Sequence, residues 1–441
     1  MKIFWNGSEN FIKFDYLNMD SVELKVKKIN ILFLYLLPPA VIFSNFLMNL
    51  IVAFIAISYL ILFYKKIIKN DYWLFYFIIF YLYTLINPSN FNITNSNYFD
   101  FENIIKIIFF FRFPIFFLAV INWLLDDRNK LNLIINLLIV SIVFVSIDIV
   151  IQYIFKIDLL GNLPGQYNTE LNRYSRYSGP FGDELIGGSY LYRNIVILIS
   201  ILIIIINSRE ENTKEKIFLN SILFFTILAC IFSGERIALL KLLTLVVLSI
   251  ILIKNIKLKL IIFSSLIIFF LSSIFISDNL RERYYNQTIK EIGSLENIKS
   301  NSLHFKHYKL TTFFYKDNLI FGNGTRSFRY VCEEFRNKKN LSNDLKELTL
   351  RGCSTHPHNF FLEILHDHGI VGLIMFLVFF LTFLKFLNKK TKLGLIYTII
   401  NFIPFLPSGA FYSSWDNVNY WFILSILFII DREKFSWKLR L

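Results

Sequence analysis

Charge is scarce in this chain. Asp, Glu, Lys and Arg supply 18% of its 441 residues, against a hydrophobic share of 55% and a mean hydropathy of +0.53. A soluble domain carries about a quarter charged residues to cover its surface, so a soluble globular reading is excluded. Metal-binding signatures are missing as well. There is no His-Glu-x-x-His, and the three cysteines form no Cys-x-x-Cys, which removes the common zinc modules. No acidic cluster offers a site for a divalent ion on a diphosphate; Asp183 with Glu184 is the nearest approach. The sequence shows no internal repeat, no low-complexity tract beyond its apolar runs and no separate soluble domain. Gly322-Asn323-Gly324 lacks the following Lys-Ser/Thr of a phosphate loop and reads as a turn.

What is present is apolar length. Runs of about 17–25 residues, each able to cross the hydrocarbon core as a helix, recur along nearly the whole chain. They predict spans near 29–46, 48–64, 72–87, 104–124, 131–154, 185–206, 217–233, 235–253, 257–276, 359–384, 393–411 and 419–430. The expected fold class is therefore an all-α polytopic membrane protein of about twelve transmembrane helices. Lys and Arg crowd alternate connections: Lys25, Lys27 and Lys28; Lys65, Lys66 and Lys69; Arg209, Lys214 and Lys216; Lys385, Lys389, Lys390 and Lys392. The opposite loops 88–103 and 408–418 contain neither residue, so the positive-inside rule puts both termini in the cytoplasm. This placement accounts for the net charge of +14 without a nucleic-acid partner. No cleavable signal peptide is evident, and the first span is expected to be retained.

The domain organisation that follows is a cytoplasmic segment 1–28, spans one to nine over 29–276 with an outer loop at 155–184, a large periplasmic loop 277–358, spans ten to twelve over 359–430, and a cytoplasmic tail 431–441. Cys332 and Cys353 both fall in the large outer loop, where an oxidising compartment allows a disulfide.

Four polar groupings stand out. Arg176 precedes the turn-forming Ser178-Gly179-Pro180-Phe181-Gly182 at the mouth of span six, where an Arg also suits lipid headgroups. Ser233-Gly234-Glu235-Arg236 is the whole connection between spans seven and eight; it holds Arg236 at the membrane boundary for phosphate, for a headgroup or for an ion pair with Glu235. All six histidines lie between 304 and 368, and the densest stretch, His356-Pro357-His358-Asn359, stands where the large loop enters span ten. Pro357 bars a helix through His356, and Asn359 is placed to cap the helix that follows. His304 and His307 share a helical face in principle, whereas His366 and His368 at i,i+2 point apart. Arg112 and Asp148, at similar depth in neighbouring spans, are expected to form an intramembrane ion pair.

Taken in order, Arg176 with Ser178-Gly179-Pro180-Phe181-Gly182, Ser233-Gly234-Glu235-Arg236, Ile320-Phe321-Gly322-Asn323-Gly324 with Ser327-Phe328, and His356-Pro357-His358-Asn359 leading to His368-Gly369-Ile370-Val371-Gly372 resemble the O-antigen ligase and O-antigen polymerase superfamily of bacterial membrane glycosyltransferases. The resemblance covers roughly residues 170–375. It implies a GT-C-type helical enzyme that takes an undecaprenyl-diphosphate-linked glycan as donor, and a glycan or lipid A–core as acceptor, with no metal or other cofactor. Carried onto this chain, it makes Arg176 and Arg236 the diphosphate ligands and His358 the acceptor-side catalytic group, with His356, His307, Asn359 and Glu184 as substrate-binding candidates. Other polysaccharide-assembly proteins are the implied partners, and a polymerase is the leading expectation, a ligase the next. Glu235 departs from the commoner pattern, in which a small residue precedes the Arg, and is expected to weaken the positive field. A transporter of the same lipid-linked glycan would instead place charge along a two-faced pathway between pseudo-symmetric halves, and the sequence has neither.

Overall fold

In hydrocarbon every backbone polar group must be satisfied within the chain, so long apolar runs are driven into helices. The protein, seen in a computed structural model, is described over residues 21–67, 72–91, 101–125, 127–168, 173–208, 213–257, 277–316, 318–338 and 342–432, with 259, 264 and 272 as isolated positions. Helices α1 (Ser21–Phe43), α2 (Asn45–Ile67), α3 (Tyr72–Ile86), α4 (Phe101–Ile108), α5 (Arg112–Leu124) and α6 (Arg128–Phe155) come first. A two-stranded hairpin, β1 (Gln166–Asn168) and β2 (Arg173–Arg176), precedes α7 (Gly187–Ser208), α8 (Thr213–Phe232) and α9 (Arg236–Ile250). The large loop folds into α10 (Asp278–Arg281), a π-turn at Glu282–Asn286, α11 (Gln287–Ile292), α12 (Leu295–Asn301), α13 (Leu303–Tyr315), α14 (Phe328–Arg336) and α15 (Asn343–Gly352). Helices α16 (Phe360–Lys390), α17 (Lys392–Asn401) and α18 (Ser414–Arg432) complete the described chain.

Among the described residues seven stretches are long and apolar enough to cross a membrane: Ser21–Phe43, Asn45–Leu62, Asn103–Leu124, Arg128–Phe155, Gly187–Asn207, Lys214–Phe232 and Phe360–Lys390. The described residues are thus all-α apart from one hairpin, consistent with an all-α membrane protein. Four further expected spans are helices of 15, 15, 10 and 19 residues, namely α3, α9, α17 and α18. The ninth expected span, 257–276, lies almost wholly outside the described residues. Helix α18 is central: it is buried from Val418 to Ile430, with Trp421 against Trp73, Phe117 and Phe383, as expected of a helix apolar on all sides.

Two local expectations are corrected, and the outer segment 155–184 gains a structural element. The second half of the expected span 393–411 is not helical; Pro404 and Pro407 stop α17 at Asn401, and 402–413 turns back toward the start of α16. The outer segment 155–184 contains the hairpin, whose Tyr167 and Tyr174 rings meet edge to face at 5.0 Å across the strands. Arg112 and Asp148 do not pair. Arg112 Nη2 donates to Asn49 Oδ1 at 2.6 Å and Ser414 Oγ at 3.0 Å, whereas Asp148 Oδ1 accepts from the Leu159 amide at 2.7 Å. Neutral acceptors on α2 and α18 and a backbone donor past the end of α6 satisfy each group separately, while the buried ion pair of the bundle is Arg193 with Asp416.

The large loop has its own small core of Leu310, Phe314, Phe328 and Cys332, with Phe335 and Leu348 packed against it. Serines cap its helices: Ser277, Ser294, Ser302 and Ser342 accept from the amides of Leu280, Asn297, Phe305 and Leu345. A disulfide joins Cys332 to Cys353, whose Cα atoms are 5.6 Å apart and 21 residues apart in sequence. A loop of that length restricts the unfolded chain by about 3 kcal/mol. Reduction, or a Cys332→Ser/Cys353→Ser double variant, is expected to lower the stability of this subdomain by about that amount, read as earlier proteolysis of the loop while the span helices stay protected.

Helix α16 is broken at Gly369, which takes φ 67° and ψ −169°. The break leaves unpaired carbonyls on one side and unpaired amides on the other. The turn 319–324 docks there and satisfies both. Asn323 and Gly324 amides donate to the His366 and Asp367 carbonyls at 2.8 and 2.9 Å, and Ile370 and Val371 amides donate to the Leu319 and Ile320 carbonyls at 3.0 and 3.4 Å. Asn87 and Ser89 at the end of α3 grip the same turn through Phe321 O and Gly322 O, at 2.9 and 2.7 Å. The break lets the first nine residues of α16 leave the line of the span and carry Asn359 and His358 to the large loop.

Candidate active site

The site lies where α6 and α8 finish and α7, α9 and α16 begin. The turn Ser233-Gly234-Glu235 packs directly on β2. The Tyr177 amide donates to Ser233 O at 3.0 Å, and a Cβ on Gly234, at φ +70°, would stand 2.4 Å from Ser175 O. Only glycine fits there, and the contact sets Arg176 and Arg236 beside one another. The large loop closes on the same turn. Arg283 Nε donates to Gly234 O at 2.9 Å, and Tyr284 Oη donates to Ile231 O at 2.8 Å. Burial, with Arg236 and Arg176 adding repulsion, lowers the Arg283 pKa to about 10, so three guanidiniums share this corner.

Two carboxylates answer them. Glu235 is buried at the N-terminus of α7, where it accepts from the Gly188 amide at 2.7 Å and Ser189 Oγ at 2.8 Å, with Arg176 Nη2 at 3.9 Å. Burial raises its pKa, while Arg176, Ser189 and Gly188 act in the opposite direction. The residue expected to weaken the field on Arg236 therefore faces α7 and Arg176. Arg236 turns to Glu291 on α11: one guanidinium nitrogen lies 2.8 Å from each carboxylate oxygen, and the other is 3.4 Å from Thr288 Oγ1.

The histidines form the second half of the site. On α13, His304, His307 and Tyr308 share one face at i, i+3 and i+4. His356 and His358 approach from the turn before α16, and His358 adopts the left-handed φ of +56°. Ring centroids are 4.0 Å apart for His356–His358, 4.9 Å for His307–His358, 5.8 Å for His304–His358 and 6.0 Å for His304–His307. The returning segment 402–413 clamps the corner. The Ser408 amide donates to His358 O at 2.9 Å, and Asn359 Nδ2 donates to Pro404 O at 2.5 Å. Asn359 Oδ1 meanwhile accepts from the Phe361 and Leu362 amides at 3.1 Å, capping α16. His307 Nδ1 lies 2.6 Å from Gly352 O, so in the neutral ring this nitrogen carries the proton and Nε2 is left as acceptor.

Electrostatics ties the halves together. Burial, followed by His307, Arg236, Arg176 and His356, pushes the His304 pKa down to about 4. Burial with His356, His307 and His304 takes His358 to about 2, and burial takes His356 to about 4 despite Asp416. His307 is lowered by burial as well. All four imidazoles are thus neutral at physiological pH. His304 Nδ1, His356 Nε2 and Arg176 Nε are buried without a hydrogen-bond partner, as polar atoms awaiting a ligand would be. Among the described residues no three His, Cys, Asp or Glu side chains are arranged as a metal site.

The linkage has a definite sign. As pH falls from about 6.5, the unfolded chain protonates its histidines while His304 and His356 stay neutral down to about 4. Stability is expected to be full above about pH 6.5 and to decline through the window between these values, measured by thermal unfolding in detergent at a series of pH values.

Other candidates stand apart. His366 and His368 are buried in α16 beside the docked turn: His366 Nδ1 lies 3.0 Å from Asp367 Oδ1, and His368 Nε2 lies 2.7 Å from Tyr412 Oη. Glu184 is exposed. Glu291 and Arg283 were not singled out by sequence, since each reads as one more surface charge on a short loop helix.

Residues 221–377 match the family model described as O-antigen ligase. That match supports membership of the O-antigen ligase/polymerase superfamily. The matched stretch takes in Arg236, the large loop, the histidine corner and the helix break, and leaves Arg176 outside. No curated protein matches the chain. The match together with several apolar helices implies a multi-pass bacterial membrane protein.

Proposed function

We propose that this protein joins glycans carried on a polyprenyl diphosphate, at the outer face of the bacterial inner membrane, as a polymerase. The reading rests on one observation, the convergence of Arg176, Arg236 and Arg283 with a neutral four-histidine cluster at one mouth of the bundle. Glycosyl transfer builds negative charge on the departing diphosphate while the anomeric carbon becomes electron-poor. Fixed cations aimed at that diphosphate are the largest lever on the barrier. In this proposal Arg176 and Arg236 hold the diphosphate and Arg283 adds to the positive field. The acceptor hydroxyl oxygen bonds to the anomeric carbon as the carbon–oxygen bond to the diphosphate breaks, its electron pair leaving with the phosphate. The hydroxyl proton passes to His358, which is neutral in the empty site and becomes more basic when the donor's diphosphate brings negative charge beside it. Attack from the face opposite the diphosphate inverts the anomeric centre. His356 and His307 line the acceptor side, and Asn359 positions His358 by capping α16 and gripping the returning segment.

The match to an O-antigen ligase family favours a second reading, in which the acceptor is lipid A–core and the protein is a ligase. A deletion strain separates the two. Glycan ladders reduced to single-repeat caps mark a lost polymerase; accumulation of long lipid-linked chains marks a lost ligase. Purified protein that joins no defined lipid-linked glycan in vesicles would defeat both. The same reading expects both termini in the cytoplasm and twelve spans, testable by cysteine labelling at residues 93 and 389 from opposite sides.

The histidine environment adds a test of the proton step. A base with an ordinary imidazole pKa near 6.5 gives activity that falls between about pH 7 and 6. With His358 held at about 2 and His304 and His356 at about 4 in the empty site, kcat/KM is expected to stay level from about pH 8 to about pH 5 and to fall only below that.

A further inference from the structure

Arg236 is not open to a ligand in this structure; Glu291 occupies it, with both oxygens at 2.8 Å from one guanidinium nitrogen. The two carboxylates of the site differ in kind. Glu235 is buried and fixed by two donors on α7, whereas Glu291 is partly exposed on a short helix of the large loop, where its carboxylate is hydrogen-bonded to Arg236 and lies within electrostatic reach of Arg283. The Glu291 helix is tethered at its ends, by Arg283 Nη1 to Gln287 Oε1 at 2.8 Å and by Asn301 Nδ2 to Lys290 O at 3.0 Å, so the side chain can swing aside while the helix stays in place.

The mouth of a membrane protein is bathed in phospholipid headgroups, each a phosphodiester with one negative charge. Three clustered arginines would bind such groups wherever they met them. A tethered carboxylate carries the same single charge and competes at a high effective concentration. A phosphodiester gains nothing by replacing it, whereas a diphosphate brings at least two charges and more acceptor oxygens to the same guanidiniums. We propose that Glu291 is a specificity-determining residue: it covers Arg236 in the empty site and yields it to a lipid diphosphate but not to the singly charged phosphodiesters of the bilayer. This inference rests on Arg236 being a diphosphate ligand.

The test uses the full-length protein in phosphatidylcholine nanodiscs, titrated with undecaprenyl diphosphate or with phosphatidylglycerol. Glu291→Gln keeps size and hydrogen bonding and removes the charge. It is expected to tighten phosphatidylglycerol binding about tenfold and diphosphate binding less, so that the preference for diphosphate shrinks. With donor and acceptor present, the donor KM should fall while kcat holds. Unchanged affinities for both lipids would overturn the proposal. So would a fall in kcat of about a hundredfold or more at unchanged binding, which would make Glu291 a group acting in the chemical step. Arg236→Gln separates this from the reading beneath it. If that variant loses diphosphate binding while Glu291→Gln leaves selectivity intact, the diphosphate site stands and the selectivity role falls. If Arg236→Gln binds diphosphate as wild type does, the underlying reading fails and takes the inference with it.

Discussion

His358→Asn is expected to lower the rate of glycan joining by a factor of about 10² to 10⁴ while the protein remains folded and binds donor. The choice of asparagine follows from the backbone. His358 sits at φ +56°, a left-handed conformation that Asn tolerates and that most other side chains disfavour, so alanine would mix a conformational penalty with loss of the imidazole. Asparagine retains the corner held by the Ser408 amide and has no group that takes a proton near neutrality. The loss should appear in kcat with little change in donor KM, since the proposed diphosphate ligands are on β2 and α9. Arg236→Gln should show the complementary pattern, a weaker donor KM together with a kcat loss of about 10² to 10³, because charge on the leaving group is stabilised more in the transition state than in the bound donor. Equal activity of His358→Asn and wild type in vesicles with defined donor and acceptor would remove the histidine from the chemistry.

Much of this architecture can be read from the chain before any coordinates. Apolar length predicts the long helices of the described bundle but not the short ones of the large loop, whose Ser-capped segments begin as capping rules require. The pairing of Cys332 with Cys353 and the gathering of His356, His358 and His307 follow from their confinement to one loop. What escapes is whatever depends on two distant segments meeting. Arg112 and Asp148 have matching depth and opposite charge, but depth along a helix does not fix which face a residue takes, and each found a neutral or backbone partner. Arg193 and Asp416, separated by more than two hundred residues, carry no local signal of their pairing. The same holds for Glu291 with Arg236. The irregular return of 402–413 did carry a signal: Pro404 and Pro407 stand inside an apolar run and forbid the helix that its hydropathy suggests. That return matters to function, because it supplies the groups that hold His358 and Asn359.

Gly369→Ala is expected to be the most damaging single-methyl substitution in the protein. Its φ of 67° with ψ of −169° belongs to a region that only glycine occupies without penalty. Space is lacking as well, since an added Cβ would fall 2.1 Å from Ile320 O and 2.7 Å from the Gly322 nitrogen. These are backbone atoms, and no side-chain rotation relieves them. Two responses are open to the variant. The helix could straighten through residue 369, which swings the first nine residues of α16 and with them Asn359 and His358; or the turn 319–324 could leave, stranding the carbonyls of His366 and Asp367 and the amides of Ile370 and Val371. Each buried unpaired group costs about 1–3 kcal/mol, so either route should remove several kcal/mol from the joint between the large loop and the bundle. Gly322→Ala attacks the same joint from the other side, with φ of +75° and a Cβ 2.5 Å from the Asp367 carbonyl carbon. Both variants should therefore lose glycan joining and lower the unfolding temperature, and the double variant should lose little more than either alone, because one docking event is broken in each case. Donor binding should survive better than turnover, since Gly234 and β2 place Arg176 and Arg236 without help from α16. Additive losses, or full activity in Gly369→Ala, would show that the break in α16 is not what delivers the histidine corner to the arginines.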